Sequence, residues 1–136
     1  MASAWVKKND KWGFIDKTGK EIASCIYDDI SYFSEGLACV RKNDKFGFVD
    51  KTGKEVIPCI YDRAEEFCEG LVRVNKNDKF GLIDKMGKEV ISCIYDDAYN
   101  FEEGLAEVQK SGYWGFIDKT GKEIVPCIYD DVGVFR

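Results

Sequence analysis

Four cysteines recur at one fixed interval in this chain of 136 residues. Each begins a Cys-Ile-Tyr-Asp segment, and successive segments are 34 residues apart, at Cys25, Cys59, Cys93 and Cys127. Four thiolates could bind zinc if they converged on one point, or they could form disulfides, but the paired Cys-x-x-Cys spacing of most zinc sites is absent. Cysteine also serves as a small buried apolar residue. We predict this packing role, with the zinc site and the disulfides as alternatives.

Cys39 and Cys68 lie outside this pattern. The residues that correspond to them in the other copies are largely polar: Trp5, Arg73 and Glu107 for Cys39, and Ser34 and Glu102 for Cys68. Positions that accept polar residues are usually exposed. We therefore predict two accessible thiols without partners, which is typical of proteins in a reducing compartment.

Charged side chains repeat at the same interval. A carboxylate follows each Ile-Tyr pair, and we predict that it accepts hydrogen bonds at a turn or strand end, because no calcium-binding Asp-x-Asp-x-Asp-Gly loop accompanies it. Lysines flank the glycine of each Lys-x-Gly-Lys segment, and they would form two rows if the copies stack in register. Such rows could bind an anionic polymer or an acidic protein surface, or they could simply keep strand edges soluble. The first row contains Lys17, Lys51, Lys85 and Lys119.

An aromatic residue precedes a glycine once in each copy, at Trp12, Phe46, Phe80 and Trp114. Regular rings of this kind could stack on sugars or on nucleic-acid bases. Aromatic side chains are more often buried, so we predict that these four belong to the core.

Several function classes are disfavoured by what the chain lacks. It has no histidine, no nucleophile elbow and no phosphate-binding loop, so we predict neither enzymatic activity nor a cofactor. The net charge of -5 disfavours nucleic acid and anionic lipid, and no apolar run reaches the ~20 residues of a membrane helix. The N-terminal segment lacks a signal-peptide pattern, which predicts a cytoplasmic protein, with secretion or delivery into a host as the alternative.

The 34-residue period organises the whole chain. In the second copy, alternating apolar residues predict two strands, and Asn43-Asp44 between them suits a tight hairpin turn. Gly53 of the Lys-x-Gly-Lys loop leads to a third strand at about 55–60. The segment from there to Gly70 is either a helical turn or a loop. Each unit is thus predicted to be a three-stranded meander.

A longer segment surrounds each of the aromatic residues that precede glycine. The segments are KWGFIDKTGKEI at 11–22, KFGFVDKTGKEV at 45–56, KFGLIDKMGKEV at 79–90 and WGFIDKTGKEI at 114–124, each followed by CIYD. They resemble the bacterial WG repeat. Phe46 and Phe80 depart from the Trp-Gly pair but keep an aromatic ring before the glycine. The resemblance implies a β-rich repeat of variable copy number whose roles are mostly unassigned.

A three-stranded unit is too small to bury its own apolar face, so neighbouring units must stack. We predict an all-β fold of four tandem 34-residue hairpin repeats stacked into a curved array, with a closed propeller-like ring as the alternative. The approximate units of this single repeat domain are 4–36, 37–70, 71–104 and 105–136. Phe135 aligns with Phe101, and neither end has a polar cap, so self-association through the ends is a further expectation.

We predict a non-enzymatic protein-binding or scaffolding module, in which each unit of a long surface adds a contact. The alternative is a carbohydrate- or cell-wall-binding module that uses the repeated aromatic residues. Contact residues are expected where otherwise alike units differ, because packing does not fix those positions. The candidates are Trp5, Tyr32, Cys39, Arg73, Tyr99 and Glu107, together with Lys17, Lys51, Lys85 and Lys119.

Overall fold

The structure is a computed structural model that describes residues 3–133. Phe135, which the 34-residue alignment places with Phe101, lies outside the described residues. Within 3–133 the chain forms strands, turns and loops without a helix. The strands are β1 (Ser3–Lys8), β2 (Lys11–Asp16), β3 (Glu21–Tyr27), β4 (Asp29–Ile30), β5 (Leu37–Lys42), β6 (Lys45–Asp50), β7 (Glu55–Tyr61), β8 (Arg63–Ala64), β9 (Leu71–Lys76), β10 (Lys79–Asp84), β11 (Glu89–Tyr95), β12 (Asp97–Glu102), β13 (Leu105–Lys110), β14 (Tyr113–Asp118) and β15 (Glu123–Tyr129).

The strands of residues 3–133 form one antiparallel sheet for each repeat. The first sheet contains β1, β2 and β3, and the second, third and fourth sheets contain β4 to β7, β8 to β11 and β12 to β15. The predicted all-β fold of tandem hairpin repeats is confirmed. The predicted three-stranded meander is incomplete, because a fourth strand joins each of the last three sheets.

The additional strand comes from the segment that the sequence left open as a helical turn or a loop. In the third sheet it is two residues long, Arg63–Ala64, and it pairs with Asn75 and Val74 of β9. The helical alternative is therefore wrong. Because this short strand pairs with the hairpin that follows it, each of these sheets begins directly after a Cys-Ile-Tyr-Asp segment.

The hairpin turns have the geometry that the sequence predicts. Asn43 and Asp44 have φ angles of 54° and 64°, and the flanking lysines pair across the turn. Asn and Asp tolerate this left-handed region, and two consecutive positive φ angles match the twist of a two-residue hairpin. In the last copy, Ser111 and Gly112 take these places with φ angles of 55° and 85°.

The glycine after each aromatic residue lies opposite a β-bulge. Phe46 pairs with Tyr61 and Phe48 pairs with Ile57, so three residues of β7 lie opposite Gly47. A Cβ atom on Gly47 would be 2.4 Å from the carbonyl oxygen of Ile57, so only glycine allows the two backbones to approach this closely. The recurrent Cys-Ile-Tyr segment therefore forms the bulged strand.

A glutamate side chain satisfies the backbone of this bulge. Cys59 donates its backbone N–H to Oε1 of Glu55 at 3.3 Å, and Lys42 donates to Oε2 at 3.1 Å. Tyr27 of the preceding sheet donates its hydroxyl to the same Oε2 atom at 3.0 Å. One carboxylate thus joins the bulge, the hairpin and the preceding sheet.

The cysteines of the bulges are free thiols, as are Cys39 and Cys68. Cys59 is half-buried, and its sulfur lies 3.9 Å from the carbonyl oxygen of Val40 on the neighbouring hairpin. Cys25 and Cys127 make the corresponding contacts with β1 and β13. All four recurrent cysteines are half-buried, and Cys59, Cys93 and Cys127 pack against apolar clusters, so the predicted role as buried packing residues is confirmed in part.

The carboxylates that end the Cys-Ile-Tyr-Asp segments bind the next hairpin turn. Asp62 accepts a hydrogen bond from the backbone N–H of Asn77 at 2.9 Å and pairs with Lys45. Asp96 accepts one from Ser111 at 2.8 Å. The predicted hydrogen bonding at turns is confirmed for these carboxylates.

Apolar clusters within residues 3–133 fill the spaces between successive sheets. Between the second and third sheets, Phe48 and Ile57 pack with Val74 and Ile83, and each of the four is at most 1% exposed. Val49 follows Phe48 in the strand and packs toward the first sheet, because successive side chains point to opposite faces. The sheets therefore stack in chain order, as the repeat pattern predicts.

Candidate binding face

The candidate contact residues that vary between units share one position in each hairpin. Trp5, Cys39, Arg73 and Glu107 lie directly opposite Phe14, Phe48, Leu82 and Phe116, respectively. The aromatic residue before glycine is two positions from each of these partners, so it points to the same side of the sheet. We call the surface formed by Trp5, Cys39, Arg73 and Glu107, by the neighbouring rings of Trp12, Phe46, Phe80 and Trp114, and by the side chains that contact these residues or line the adjoining cavities the variable face.

In the first unit the variable face is aromatic. The ring centroids of Trp5 and Trp12 are 6.3 Å apart with an interplanar angle of 76°, and the ring of Tyr32 lies 4.7 Å from that of Trp5. Tyr32 is 77% exposed. Edge-to-face and tilted contacts fix the rings relative to one another. This unit therefore presents a preformed ring cluster to solvent.

In the second unit the variable residue is a thiol. Cys39 is half-buried and packs against the core between the second and third sheets, and burial raises its pKa to about 12. The predicted accessibility is therefore wrong for Cys39, because the next sheet covers it, and confirmed for Cys68, which is exposed. A cavity of about 190 Å³ adjoins Cys39 and is also lined by Ser31, Arg41 and Phe46.

In the third unit the variable residue is an internally paired cation. Nη1 of Arg73 is 3.1 Å from Oε2 of Glu65, and Nη2 is 2.6 Å from Oδ1 of Asp97. The guanidinium carbon lies 4.0 Å from the ring centroid of Phe80 and 5.4 Å from that of Tyr99. Arg73 thus combines two ion pairs with two cation–π contacts.

In the fourth unit the variable residue is a carboxylate beside a larger cavity, of about 540 Å³. The rings of Tyr99 and Trp114 are nearly parallel, at 14°, and their centroids are 5.9 Å apart. Burial raises the pKa of Glu107, and the carboxylates of Glu102 and Asp131 raise it further. We call this cavity the fourth-unit pocket; its lining residues are Tyr99, Asn100, Glu102, Leu105, Glu107, Trp114 and Phe116.

The rings before glycine are shared between the core and the variable face. All four are half-buried; Trp12 and Phe80 pack against apolar clusters, and Phe46, Phe80 and Trp114 line cavities. The four rings are therefore only partly buried, and the predicted core placement is confirmed in part. The neighbouring sheet buries Phe48, two residues further along the strand, but leaves part of each ring at the start of the strand uncovered.

The lysine candidates lie in the loops between the second and third strands of the hairpin units. All four are exposed: Lys17, Lys51, Lys85 and Lys119. Lys85 pairs with Glu35 at 3.2 Å, and Nζ of Lys119 lies 6.0 Å from the ring centroid of Phe101. In the part of the chain that the structure describes, none of the four lines the cavities of the variable face. The structure therefore separates the lysines from the other candidates.

Sequence reasoning missed Asp97 and Glu102 as members of the face, and it placed Trp114 in the core with sugar or base stacking as the alternative. Glu102 carried a signal, because Ser34 and Cys68 take its place in other units. Asp97 carried none, because a carboxylate recurs at its position in most units. Variation between units identifies the residues that differ and passes over the repeated residues that surround them.

No group of three or more His, Cys, Asp or Glu side chains in residues 3–133 is arranged to hold a metal ion. The same residues contain no helix with the length and apolar character to cross a membrane.

Comparison with known families follows the 34-residue period. The model of the WG containing repeat matches residues 12–46, 46–80, 80–114 and 114–136. The chain belongs to the WG containing repeat family. Each of the four WG repeat matches begins at an aromatic residue of the variable face, so the ring at the start of each repeat lies beside a variable side chain.

A comparison of this WG repeat chain with curated proteins finds no match. Among solved structures, one described as "The de novo evolutionary emergence of a symmetrical protein is shaped by folding constraints" is similar to it, with 10% sequence identity and a TM-score of 0.36. The similarity covers 96% of this chain and 70% of that chain.

Proposed function

We propose that this WG repeat chain is a non-enzymatic protein-binding module and that the variable face is its contact surface. The supporting observation is that residues differing between otherwise alike units take one structural position. Trp5, Cys39, Arg73 and Glu107 occupy it in successive hairpins, each beside an aromatic ring. A repeated scaffold thus presents four different chemical groups.

The side chains that recur in the units have roles inside the protein. Glu55 binds the bulge at Cys59, and Asp50 accepts hydrogen bonds within its own Lys-x-Gly-Lys turn. Asp62 binds the following hairpin turn. Folding explains why such residues recur. At the variable position it explains only part of the pattern, because Cys39 packs against the core and Arg73 is paired internally, whereas Glu107 borders a cavity.

The variety of the face favours a polypeptide as its ligand. A partner that contacts several units would meet the aromatic rings of the first unit, the cavity beside the half-buried Cys39, the exposed edge of the paired Arg73 and the carboxylate of Glu107 in turn. A polymer of identical units would be complementary to a surface that repeats one chemical group. A polypeptide has varied side chains, so it can be complementary to a surface whose groups vary. Weak contacts from successive units would combine through avidity.

The first unit supports carbohydrate binding as a second candidate. Trp5, Trp12 and Tyr32 form a ring cluster with an exposed side, and aromatic faces of this kind stack on sugar rings. This candidate needs a single unit and makes no use of the charged third and fourth units.

Selection from a peptide library against the folded protein tests the first candidate. We expect enriched peptides whose Kd increases about tenfold or more with Tyr32→Ala or Tyr99→Ala, because each change removes an exposed ring from the site. Tyr113→Ala is the matched control: Tyr113 is 46% exposed against 43% for Tyr99, and it lines none of the cavities of the variable face. Peptides that bind all three variants equally well would contradict the proposal.

A glycan array probed in parallel tests the second candidate. A glycan that binds the wild-type protein and is lost in Trp5→Ala, while circular dichroism shows unchanged folding, would favour the carbohydrate-binding function. The absence of any retained glycan would remove it.

A further inference from the structure

The third unit shows how this fold holds a guanidinium group. Arg73 lies over the ring of Phe80, with Asp97 and Glu65 as its ion-pair partners. The side chains of Arg73 and Asp97 are 20% and 24% exposed, so their contact is made in a largely desolvated place, whereas the side chain of Glu65 is 58% exposed. Ion pairs and cation–π contacts are both stronger where water is excluded.

The groups at the corresponding positions of the fourth unit lie 34 residues further along the chain. Trp114 replaces Phe80, Asp131 replaces Asp97, Tyr99 replaces Glu65, and Glu107 replaces Arg73. The fourth unit therefore keeps an aromatic ring and a carboxylate, and the ring of Tyr99 takes the place of the second carboxylate. Where the third unit has its cation, the fourth has another carboxylate.

As a result of this exchange, the only charged side chains among the described lining residues of the fourth-unit pocket are carboxylates. Glu102 and Glu107 line it, and Asp131 is near enough to raise the pKa of Glu107. Like charges in a partly desolvated site repel each other, and a bound cation relieves that repulsion.

We propose that the fourth-unit pocket binds the guanidinium group of an arginine side chain in the partner protein, an inference that rests on the proposed protein-binding function. A guanidinium group is planar, stacks on aromatic faces and donates two parallel hydrogen bonds to a carboxylate. Trp114 and Tyr99 supply the rings, and Glu107 and Glu102 supply the carboxylates. The lysine ammonium group is a compact, strongly hydrated charge, so it would use the rings less fully.

The dimensions of the pocket agree with this ligand. Its volume of about 540 Å³ lies within the range of small-ligand sites and leaves room for the arginine side chain and part of its backbone. The nearly parallel rings of Tyr99 and Trp114 offer flat surfaces for a planar group.

Titration of the isotopically labelled protein with N-acetyl-arginine methylamide, followed by NMR, tests the inference. We expect the indole N–H signal of Trp114 to shift with a Kd in the millimolar range. The lysine analogue should bind about threefold more weakly or worse, because it loses ring stacking. The citrulline analogue, which has a similar shape without the charge, should not bind measurably.

Two variants and a matched control identify the carboxylate that holds the probe. Glu107→Gln should weaken binding about fivefold or more, because it removes a charge-assisted hydrogen bond. Glu107→Arg should abolish binding, because it places a cation in the pocket from within, as in the third unit. Glu103→Gln changes the net charge equally but affects an exposed residue outside the lining, so it should leave the Kd unchanged. If Glu107→Arg does not fold, Glu107→Gln gives the answer by itself.

Several results would overturn the inference. These are equal affinity for the arginine and lysine probes, an unchanged Kd in Glu107→Gln, or signal shifts that map away from Trp114. Free arginine carries its own carboxylate and should bind more weakly than the amide; tighter binding would assign the pocket to the free amino acid instead.

The two experiments distinguish failure of the arginine assignment from failure of the proposed protein-binding function. Selected peptides that bind the variable face without any arginine would overturn the pocket's assignment and retain protein binding. An arginine amide that binds at Trp114, together with a library from which no peptide is retained, would retain the pocket and overturn the protein-binding function.

Discussion

Glu107 shows how one residue of the variable face meets two opposing requirements. The pocket around it suits a cation because the half-buried carboxylate of Glu107 lies near the exposed carboxylates of Glu102 and Asp131. The same crowding disfavours the folded protein when the pocket holds no ligand. Binding sites often carry such a local cost in stability.

We expect Glu107→Gln to increase the stability of the unliganded protein at pH 7. The pKa of Glu107 in the folded protein is raised above its ordinary value of 4.5, so folding favours the protonated form and the charged form is destabilising. This penalty is absent well below pH 4.5, where the carboxyl is protonated in both states, and develops as the pH rises through the folded-state pKa. Scanning calorimetry should show a higher Tm for the variant at pH 7 and a smaller difference in acid. An equal difference at both pH values, or a similar gain in Glu103→Gln, would contradict this explanation.

Part of the variable face could be predicted from the sequence. Trp5, Arg73 and Glu107 were identifiable because they differ at one repeat position, and this variation needs no structure to be seen. The contact between Arg73 and Tyr99 was not, because it joins adjacent sheets and depends on how they stack. The half-exposure of Trp114 depends on the same packing.

At the scale of elements, the aromatic-glycine pair and the Cys-Ile-Tyr segment form one structural device. Gly47 allows the bulged strand to approach, and Glu55 accepts the N–H of Cys59 that the bulge removes from the ladder. One β-bulge therefore explains why both segments recur in each repeat.

Gly47→Ala and Gly70→Ala should differ in their effect on stability. The Cβ atom added at position 47 would meet backbone atoms of β7 at 2.4 Å, so we expect a loss of about 3 kcal/mol or more. At position 70 nothing lies within 4 Å and only the positive φ of 82° is unfavourable, so we expect a loss of about 1 kcal/mol. Urea denaturation measures both. Equal losses would show that the close approach at Gly47 is not what requires glycine.

Glu89 should contribute to a loss of stability in acid. Lys76 donates to Glu89 at 2.8 Å and Cys93 donates its backbone N–H at 3.1 Å; the hydrogen bond from Lys76 is the main cause that lowers the pKa of Glu89 below 4.5. A lowered pKa means that the contribution is fully present above pH 4.5 and is lost as the pH falls through the folded-state value. Glu89→Gln should therefore reduce stability at pH 7 and flatten its dependence on pH in acid, measured by urea denaturation. Glu66→Gln, at an exposed position, should keep the wild-type profile.

The strands were predictable to different degrees for physical reasons. The hairpin followed from local turn chemistry at Asn43-Asp44, which needs no distant partner. The strand Arg63–Ala64 was missed because two residues give no alternation to detect and their partners in β9 lie beyond a loop. The bulge at the Cys-Ile-Tyr segment was also missed, because an alternating pattern of apolar residues does not show where three residues of one strand lie opposite one residue of its neighbour.

At the scale of the whole molecule, each sheet depends on its neighbours. The described apolar clusters each combine residues of two successive sheets, and side-chain hydrogen bonds cross the same boundaries. No sheet has a complete core by itself, which is typical of repeat proteins.

The hydrogen bond between Tyr27 and Glu55 should couple the first and second sheets. Tyr27→Phe removes a donor that is 3.0 Å from Glu55 in a side chain that is 3% exposed, so we expect a loss of about 1 kcal/mol. In a double-mutant cycle with Glu55→Gln, the coupling energy should be about 0.5 kcal/mol or more. Tyr129→Phe is the control, because Tyr129 is 48% exposed. Additive effects of the two changes would show that the hydroxyl and the carboxylate do not interact.

The bonds within and between repeats have constant offsets along the chain. Tyr27 reaches Glu55 across 28 residues, and Tyr95 reaches Glu123 across the same 28. Lys42, Lys76 and Lys110 each reach a glutamate 13 residues on. An in-frame tandem duplication of 34 residues would therefore restore every such bond, wherever in the repeat the duplicated stretch begins. Replication slippage could lengthen or shorten the array without a new interface having to evolve, and each added copy would then be free to diverge at its variable position.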